Sequence, residues 1–266
     1  MPTFDKDIIL GRGKLYFDRF ASGSLTRTGE MYFGNTPSLT LTRSEETLEH
    51  FDSDSGLRVK DLSATLSDEI NGSFQTDNIK PDNIALFFSG IVTKVDQALV
   101  AGGTTEDITV NQGRFYQIGR TANRPAGLRQ VTVSQIATVA APGTPIPTNA
   151  GANWEVDSEN GRIYIPPGST IPSGTAIRAT YGAAAHTYYT VTDGDTAIYG
   201  ALRFISENAV GKQRNYFFPY VKLMANGDFA LKGDEWQTMN FDFQALKLDS
   251  TTPRMIVQAV QSSVGG

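Results

Sequence analysis

Between Asp61 and Asp77 the side chains alternate with a period of two. The odd positions Asp61, Ser63, Thr65, Ser67, Glu69, Asn71, Ser73, Gln75 and Asp77 are all polar, while Leu62, Ala64, Leu66, Ile70 and Phe74 make the even positions mostly apolar. Successive residues of a strand point to opposite faces, so the spacing predicts one long strand with a wet face and a buried one. Gly72 is expected to mark a bend or bulge in it. At about 3.3 Å per residue an unbroken strand here spans on the order of 50 Å, far beyond the usual length of about 5–6 residues.

The same pattern recurs near the C-terminus, where Met239, Phe241, Phe243 and Ala245 alternate with Thr238, Asn240, Asp242 and Gln244. A weaker version places Leu39 and Leu41 opposite Ser38, Thr40 and Thr42. Asn226-Gly227, between Tyr220–Met224 and Phe229–Lys232, is a short hairpin signal. Strands with one polar face predict antiparallel sheet with water on one side. One segment, 80–89, predicts a helix: Asp77 or Asn78 to cap it, Pro81 in the first turn, Ile84-Ala85-Leu86-Phe87-Phe88 on the apolar side, and Gly90 to end it.

From Thr93 to Thr192 the character changes, with seven of the chain's 12 prolines. Ala140–Ala152, containing Pro142, Pro145 and Pro147, reads as a loop. Arg129–Thr138, Trp154–Asp157, Arg162–Ile165 and Ala176–Tyr181 read as short strands about ten residues apart, the spacing of a small β-sandwich. The expected division is therefore a discontinuous domain of residues 1–92 and 193–266, with 93–192 inserted as an immunoglobulin-like β domain. The fold class is mainly β with one short α-helix.

Composition narrows the function more than the fold. The chain has no cysteine, so disulfides and cysteine–zinc sites are excluded. Met1, Asp5, Lys6 and Asp7 do not make the basic-then-apolar pattern of a signal peptide, and no apolar run reaches the roughly 20 residues of a membrane span. A soluble protein assembled in a cytoplasm is expected. The net charge of −5 is uneven: residues 43–107 hold 13 acids and 5 bases, net −8, whereas 1–42, 108–200 and 201–266 are each +1. That balance argues against nucleic-acid binding, which needs clustered Lys and Arg, yet suits a surface that faces nucleic acid without holding it.

Catalytic chemistry finds little material. His50 and His186, the two histidines, fall in different expected domains. Gly11-Arg12-Gly13-Lys14 lacks phosphate-loop spacing, and Leu15 stands where a hydroxyl residue belongs. Asp52-Ser53-Asp54-Ser55-Gly56 brings its glycine one place early for a calcium loop, with Ser63 at the twelfth position. No enzyme and no cofactor are expected. A carbohydrate-binding or adhesin module is the alternative reading, although Trp154 and Trp236, each in or beside an expected strand, read as core or interface rather than as a sugar platform.

Phe33-Gly34-Asn35-Thr36-Pro37-Ser38-Leu39-Thr40-Leu41-Thr42, the acidic 43–58 connection, the 61–77 strand and the Lys80–Gly90 helix together resemble the major tail tube proteins of long-tailed, non-contractile bacteriophages. Trp154-Glu155-Val156-Asp157 and Gly161-Arg162-Ile163-Tyr164-Ile165-Pro166-Pro167-Gly168 resemble the sandwich segments inserted in such proteins. The likeness extends over nearly the whole chain as a pattern, and contractile-tail and secretion-system tubes share the core fold. It implies a tail-tube-type β-sandwich or barrel whose copies form homo-hexameric rings. These rings stack into a hollow virion tail tube that conducts viral DNA during ejection without binding it specifically. Tape measure, tail terminator and tip proteins are the further partners implied. On this resemblance Asp61, Ser63, Thr65, Ser67, Glu69 and Asn71 would line the lumen, the alternative being an ordinary outer surface. Glu45, Glu46, Leu48, Glu49, Phe51, Asp52 and Asp54 would form the loop that bridges subunits and rings. The inserted domain would project outward, for surface adhesion or wall decoration.

Overall fold

The computed structural model describes residues 8–54 and 56–260; the N-terminal residues read for a signal pattern, and Ser55, lie outside that range. In chain order the elements are β1 (Gly13–Arg19), β2 (Met31–Tyr32), β3 (Ser38–Asp52), β4 (Val59–Thr76), α1 (Pro81–Phe87), β5 (Ile91–Gln97), β6 (Val100–Val110), β7 (Arg114–Gln117), β8 (Val131–Thr138) and β9 (Ala141–Pro145). There follow β10 (Glu155–Asp157), β11 (Arg162–Ile165), β12 (Thr175–Ala183), β13 (His186–Thr192), β14 (Ile198–Ser206), β15 (Gln213–Asn226), β16 (Met239–Ala245) and β17 (Ile256–Val260). The fold is mainly β, with one short helix. The chain divides into two compact units, Met1–Thr93 with Val191–Gly266, and Lys94–Thr190.

The first unit is built on one eight-stranded sheet in the order β2-β1-β14-β15-β16-β4-β3, with β17 beside β15. Alternation sets its faces. Along β16 Met239, Phe241, Phe243 and Ala245 are buried while Asn240, Asp242 and Gln244 are not. The buried side packs Leu15, Phe17, Phe33, Phe74, Leu86, Phe218 and Phe241 into one core. Rings stack and tilt within it, as Phe74 does on Phe241 at 5.1 Å between centroids. Gly72 stands in unbroken register, facing Leu41 on one side and Phe243 on the other, so it marks no bulge. It is small because a Cβ there would lie 2.5 Å from the Phe243 ring.

Helix α1 spans fewer residues than the 80–89 expected, and its caps differ. Lys80 is the N-cap residue and gives no side-chain cap. Asp77 is taken by the Asn35 amide at 2.5 Å, which removes it as a cap. At the other end the Ser89 N–H donates to the Leu86 carbonyl and the Gly90 N–H to the Ala85 carbonyl, the paired bonds of a Schellman motif. The left-handed position in that motif belongs to Ser89 (φ 54°), not to glycine. Gly90 answers another demand: its Cβ would come 1.7 Å from the Thr192 carbonyl oxygen. The Gly11–Lys14 segment opens β1, where Lys14 pairs with Glu207 at 2.6 Å.

The second unit is a β-sandwich of a three-stranded sheet, β10-β11-β7, and a four-stranded sheet, β6-β12-β8-β9. Its own core gathers Val110, Ile118, Ile136, Ile163, Ile165, Ile177 and Trp154, whose indole N–H donates to the Ile146 carbonyl at 2.9 Å. The expected proline-rich loop contains β9. That strand lies at the sheet edge, where Pro142 and Pro145 forfeit no ladder bond. Strands β5 and β13 form a separate two-stranded ribbon.

Candidate assembly surface

Strands β3 and β4 form the sheet's most extended hairpin, 15 and 18 residues long. Only its base belongs to the core. Gly72, Phe74 and Thr76 are buried, whereas Leu41–His50 and Val59–Leu66 are exposed on both faces. The 43–58 segment is therefore no loop: β3 continues through it to Asp52, and only the turn between Asp52 and Val59 is irregular. Cross-strand hydrogen bonds account for the difference, because each strand of a hairpin satisfies the other's backbone groups wherever the core has ended.

The register shows which side chains share a face. At the base, Leu39 pairs with Phe74, Leu41 with Gly72 and Arg43 with Ile70 on the core side. Ser38 with Gln75, Thr40 with Ser73, Thr42 with Asn71, Ser44 with Glu69 and Glu46 with Ser67 occupy the other side. Farther out β4 twice carries one residue more than β3. Leu66 is extra between the Glu46–Ser67 and Thr47–Thr65 pairs, and Asp61 between the His50–Leu62 and Phe51–Lys60 pairs. An extra residue of this kind shifts the parity of everything beyond it. Ser63 and Thr65 thus face the same way as Glu49 and Thr47, the core side, while Ala64 and Leu62 join Leu48 and His50 on the opposite side.

The single polar face expected from Asp61 to Asn71 is accordingly split. Ser67, Glu69 and Asn71 keep together on the side away from the core; Ser63 and Thr65 do not join them, and Asp61 accepts or shares a hydrogen bond with the His50 ring at 2.6 Å. Periodicity alone could not reveal this, since a bulge leaves no period of its own. Of the other expected set, Glu45, Glu49 and Phe51 lie on one face of the arm, Glu46, Leu48 and Asp52 on the other, and Asp54 in the turn. The Phe51 ring lies under the Arg58 guanidinium at 4.6 Å, and Glu49 pairs with Lys60 at 2.5 Å.

At the arm's base the sheet's outer face continues across β16 and β15 as Gln75, Ser73, Asn71, Asn240, Asp242, Gln244, Met224 and Lys222. Hydroxyls and amides bond across strands, Thr40 to Ser73 at 2.8 Å and Gln75 to Asn240 at 3.0 Å. The charges on it are few: Glu46, Glu69, Asp242 and Lys222. On the core side Asp68 binds Arg43 at 2.9 Å and Arg254 at 2.5 Å, tying β3, β4 and the C-terminal segment together. The bond from Arg43, then that from Arg254, holds the Asp68 carboxyl below its ordinary range.

A cleft elsewhere in this unit is lined by Arg19, Phe20, Tyr199, Tyr220 and Asp193. Burial lowers the Arg19 pKa, and its guanidinium donates to the Gly90 carbonyl at 2.7 Å. Tyr220 stacks between Phe20 and Tyr199, and burial raises its phenol. Among the described residues no group of three His, Cys, Asp or Glu side chains could hold a metal ion, and no helix is long and apolar enough to cross a membrane.

The tryptophans part company. Trp154 is buried, but Trp236 is 94% exposed, outside any strand. The Asn226-Gly227 signal misled here. Gly227 does turn (φ 72°), yet Phe229 packs on the core instead of opening a return strand, and β15 pairs with β16 beyond it. The connection between Asn226 and Met239 is left carrying Trp236 and Leu231 into solvent.

No curated protein matches the chain. A family described as "protein of unknown function UCP028589" matches residues 8–255, nearly the whole chain, and the chain belongs to that family.

Proposed function

We propose that this protein is the structural subunit of a bacteriophage tail tube, and not an enzyme. The observation that carries the reading is the β3–β4 arm: long paired strands extend past the core with both faces in solvent. In a lone molecule such an arm leaves apolar side chains wet and the outer edge of β3 unpaired, a liability for an isolated sheet. Closing the sheets of six copies into one barrel removes the free edge, and arms that reach the next subunit cover the apolar residues. Head-to-tail stacking of rings then propagates as a tube.

In this reading the outer face of the sheet lines the bore. Ser67, Glu69 and Asn71 remain in the lumen-facing set, together with Thr42, Ser44, Ser73, Asn240, Asp242 and Gln244; Asp61, Ser63 and Thr65 move to the arm. Hydroxyls and amides with three carboxylates (Glu46, Glu69 and Asp242) and one lysine give a hydrated wall that offers phosphates little to hold. The other acids of 43–61 belong to the contacts between copies. Electron microscopy of the purified protein tests the proposal: filaments of uniform width with a central channel are expected, and persistent monomers under all assembly conditions would refute it.

A further inference from the structure

Three asparagines precede a glycine in this chain, at Asn71-Gly72, Asn160-Gly161 and Asn226-Gly227. The pair is chemically reactive. The glycine nitrogen, unhindered by a side chain, attacks the asparagine Cγ and closes a succinimide ring, and the side-chain nitrogen departs as ammonia. Water then opens the ring to aspartate or isoaspartate, so the net change is a water taken up, an ammonia released and a carboxyl gained. Closure needs a backbone nitrogen free to lose its proton and a backbone free to bend onto the side chain.

Folding denies those conditions to two of the pairs. Gly72 lies inside the sheet, in register with Leu41 and Phe243, and a Cβ there would come 2.5 Å from the Phe243 ring. In the sandwich the Gly161 N–H donates to the Ser158 carbonyl at 3.1 Å, and the Asn160 amide donates to both oxygens of Asp157, at 3.1 and 3.0 Å. Gly161 is enclosed as well, since its Cβ would meet the Leu128 carbonyl oxygen at 1.9 Å. The third pair differs in each respect. Asn226 is the exposed last residue of β15, and Gly227 turns with φ 72° into open space. The Gly227 N–H has no acceptor among the described residues. We propose that Asn226 is a site of spontaneous deamidation, at which the folded chain gains a carboxylate with age.

The new charge falls where it matters. Asn226 pairs with Asn240 at the end of the β15–β16 ladder, and its amide donates to the Asp242 carboxylate at 2.9 Å. Deamidation replaces that donor by a second carboxylate, which turns an attraction into like-charge repulsion at hydrogen-bond distance. The isoaspartate product also lengthens the backbone by a methylene, which sets the pairing with Asn240 out of register. The modification itself is independent of assembly. In the tail-tube reading the added carboxylate joins Asp242 on the face that lines the bore, and repels phosphates further.

The experiment follows the full chain through prolonged incubation in mildly alkaline buffer, with peptide mass spectrometry after digestion reading each asparagine. In the folded protein Asn226 is expected to convert at least about tenfold faster than Asn71 and Asn160, which must await local opening. In denaturant the three rates should converge, which assigns the difference to the fold and not to the neighbouring residues. Asn226→Asp, identical to one of the products, is expected to melt below wild type, and adding Asp242→Asn should return most of the loss. Neither readout depends on filaments. Equal rates at the three sites of the folded protein overturn the proposal, as does an Asn226 left intact over a period in which the denatured chain converts. Melting of Asn226→Asp at the wild-type temperature would overturn the role given to Asp242.

Discussion

Three glycine-related positions separate backbone demand from packing demand. At Ser89 the left-handed conformation penalises any side chain, and open replacement by glycine relieves it. Ser89→Gly is expected to stabilise the first unit by about 1 kcal/mol, read as a raised denaturation midpoint. Gly90→Ala, one residue on, should do the reverse, since its methyl would collide with the Thr192 carbonyl. Gly72→Ala forces a Cβ against the Phe243 ring and is expected to cost about 1–3 kcal/mol by overpacking. Asp68 offers a pH test. Its folded carboxyl is held low by Arg43 and Arg254, so its contribution is present above the unfolded carboxylate pKa and is lost as pH falls through the folded value. The stability difference between wild type and Asp68→Asn should therefore shrink on acidification, in denaturant titrations from neutral pH downwards.

At the scale of elements, the sequence made strands legible wherever one face meets the core. The β16 alternation and the inner half of β4 are visible because burial imposes a period of two, and Pro81 placed the first turn of α1 because its φ suits that position. The arm was half legible. Its length could be read from 61–77, but the bulges at Leu66 and Asp61 could not, and with them went the assignment of Asp61, Ser63 and Thr65 to one face. The outer part of β3 was hidden because no core constrains its side chains, leaving an acidic run that reads as loop. Trp236 was misplaced for a related cause: Asn226-Gly227 is a local signal, and the long-range packing of Phe229 overrides it. The arm's independence from the core gives an element-scale prediction. Replacing residues 47–66 by an Asn-Gly turn, which would join the paired residues Glu46 and Ser67 at the inner end of the arm, removes no residue of the core. The shortened chain should keep its far-ultraviolet circular dichroism band shape and melt within a few degrees of wild type, yet sediment only as a monomer where the wild type assembles.

At the scale of the whole molecule, two cores with no shared residue make two partly independent stability problems. Phe241 and its neighbours serve the first unit, and Ile163, Ile177 and Trp154 serve the second. A chain whose units each bury a separate core need not unfold in one step. Truncating Ile163, fully buried in the sandwich, to alanine should destabilise Lys94–Thr190 by about 2–5 kcal/mol. Emission from Trp154, with Trp236 replaced by phenylalanine, reports that unit alone. Its midpoint should fall, while the amide circular dichroism of the first unit's sheet melts at its original temperature. The tube proposal adds a functional counterpart: the first unit holds the long arm and the free sheet edge, so assembly should need nothing from the second. Joining Thr93 to Val191 through a short glycine-rich linker is expected to leave a folded subunit that still forms filaments. A shortened chain that folds but cannot assemble would move part of the assembly surface into the sandwich.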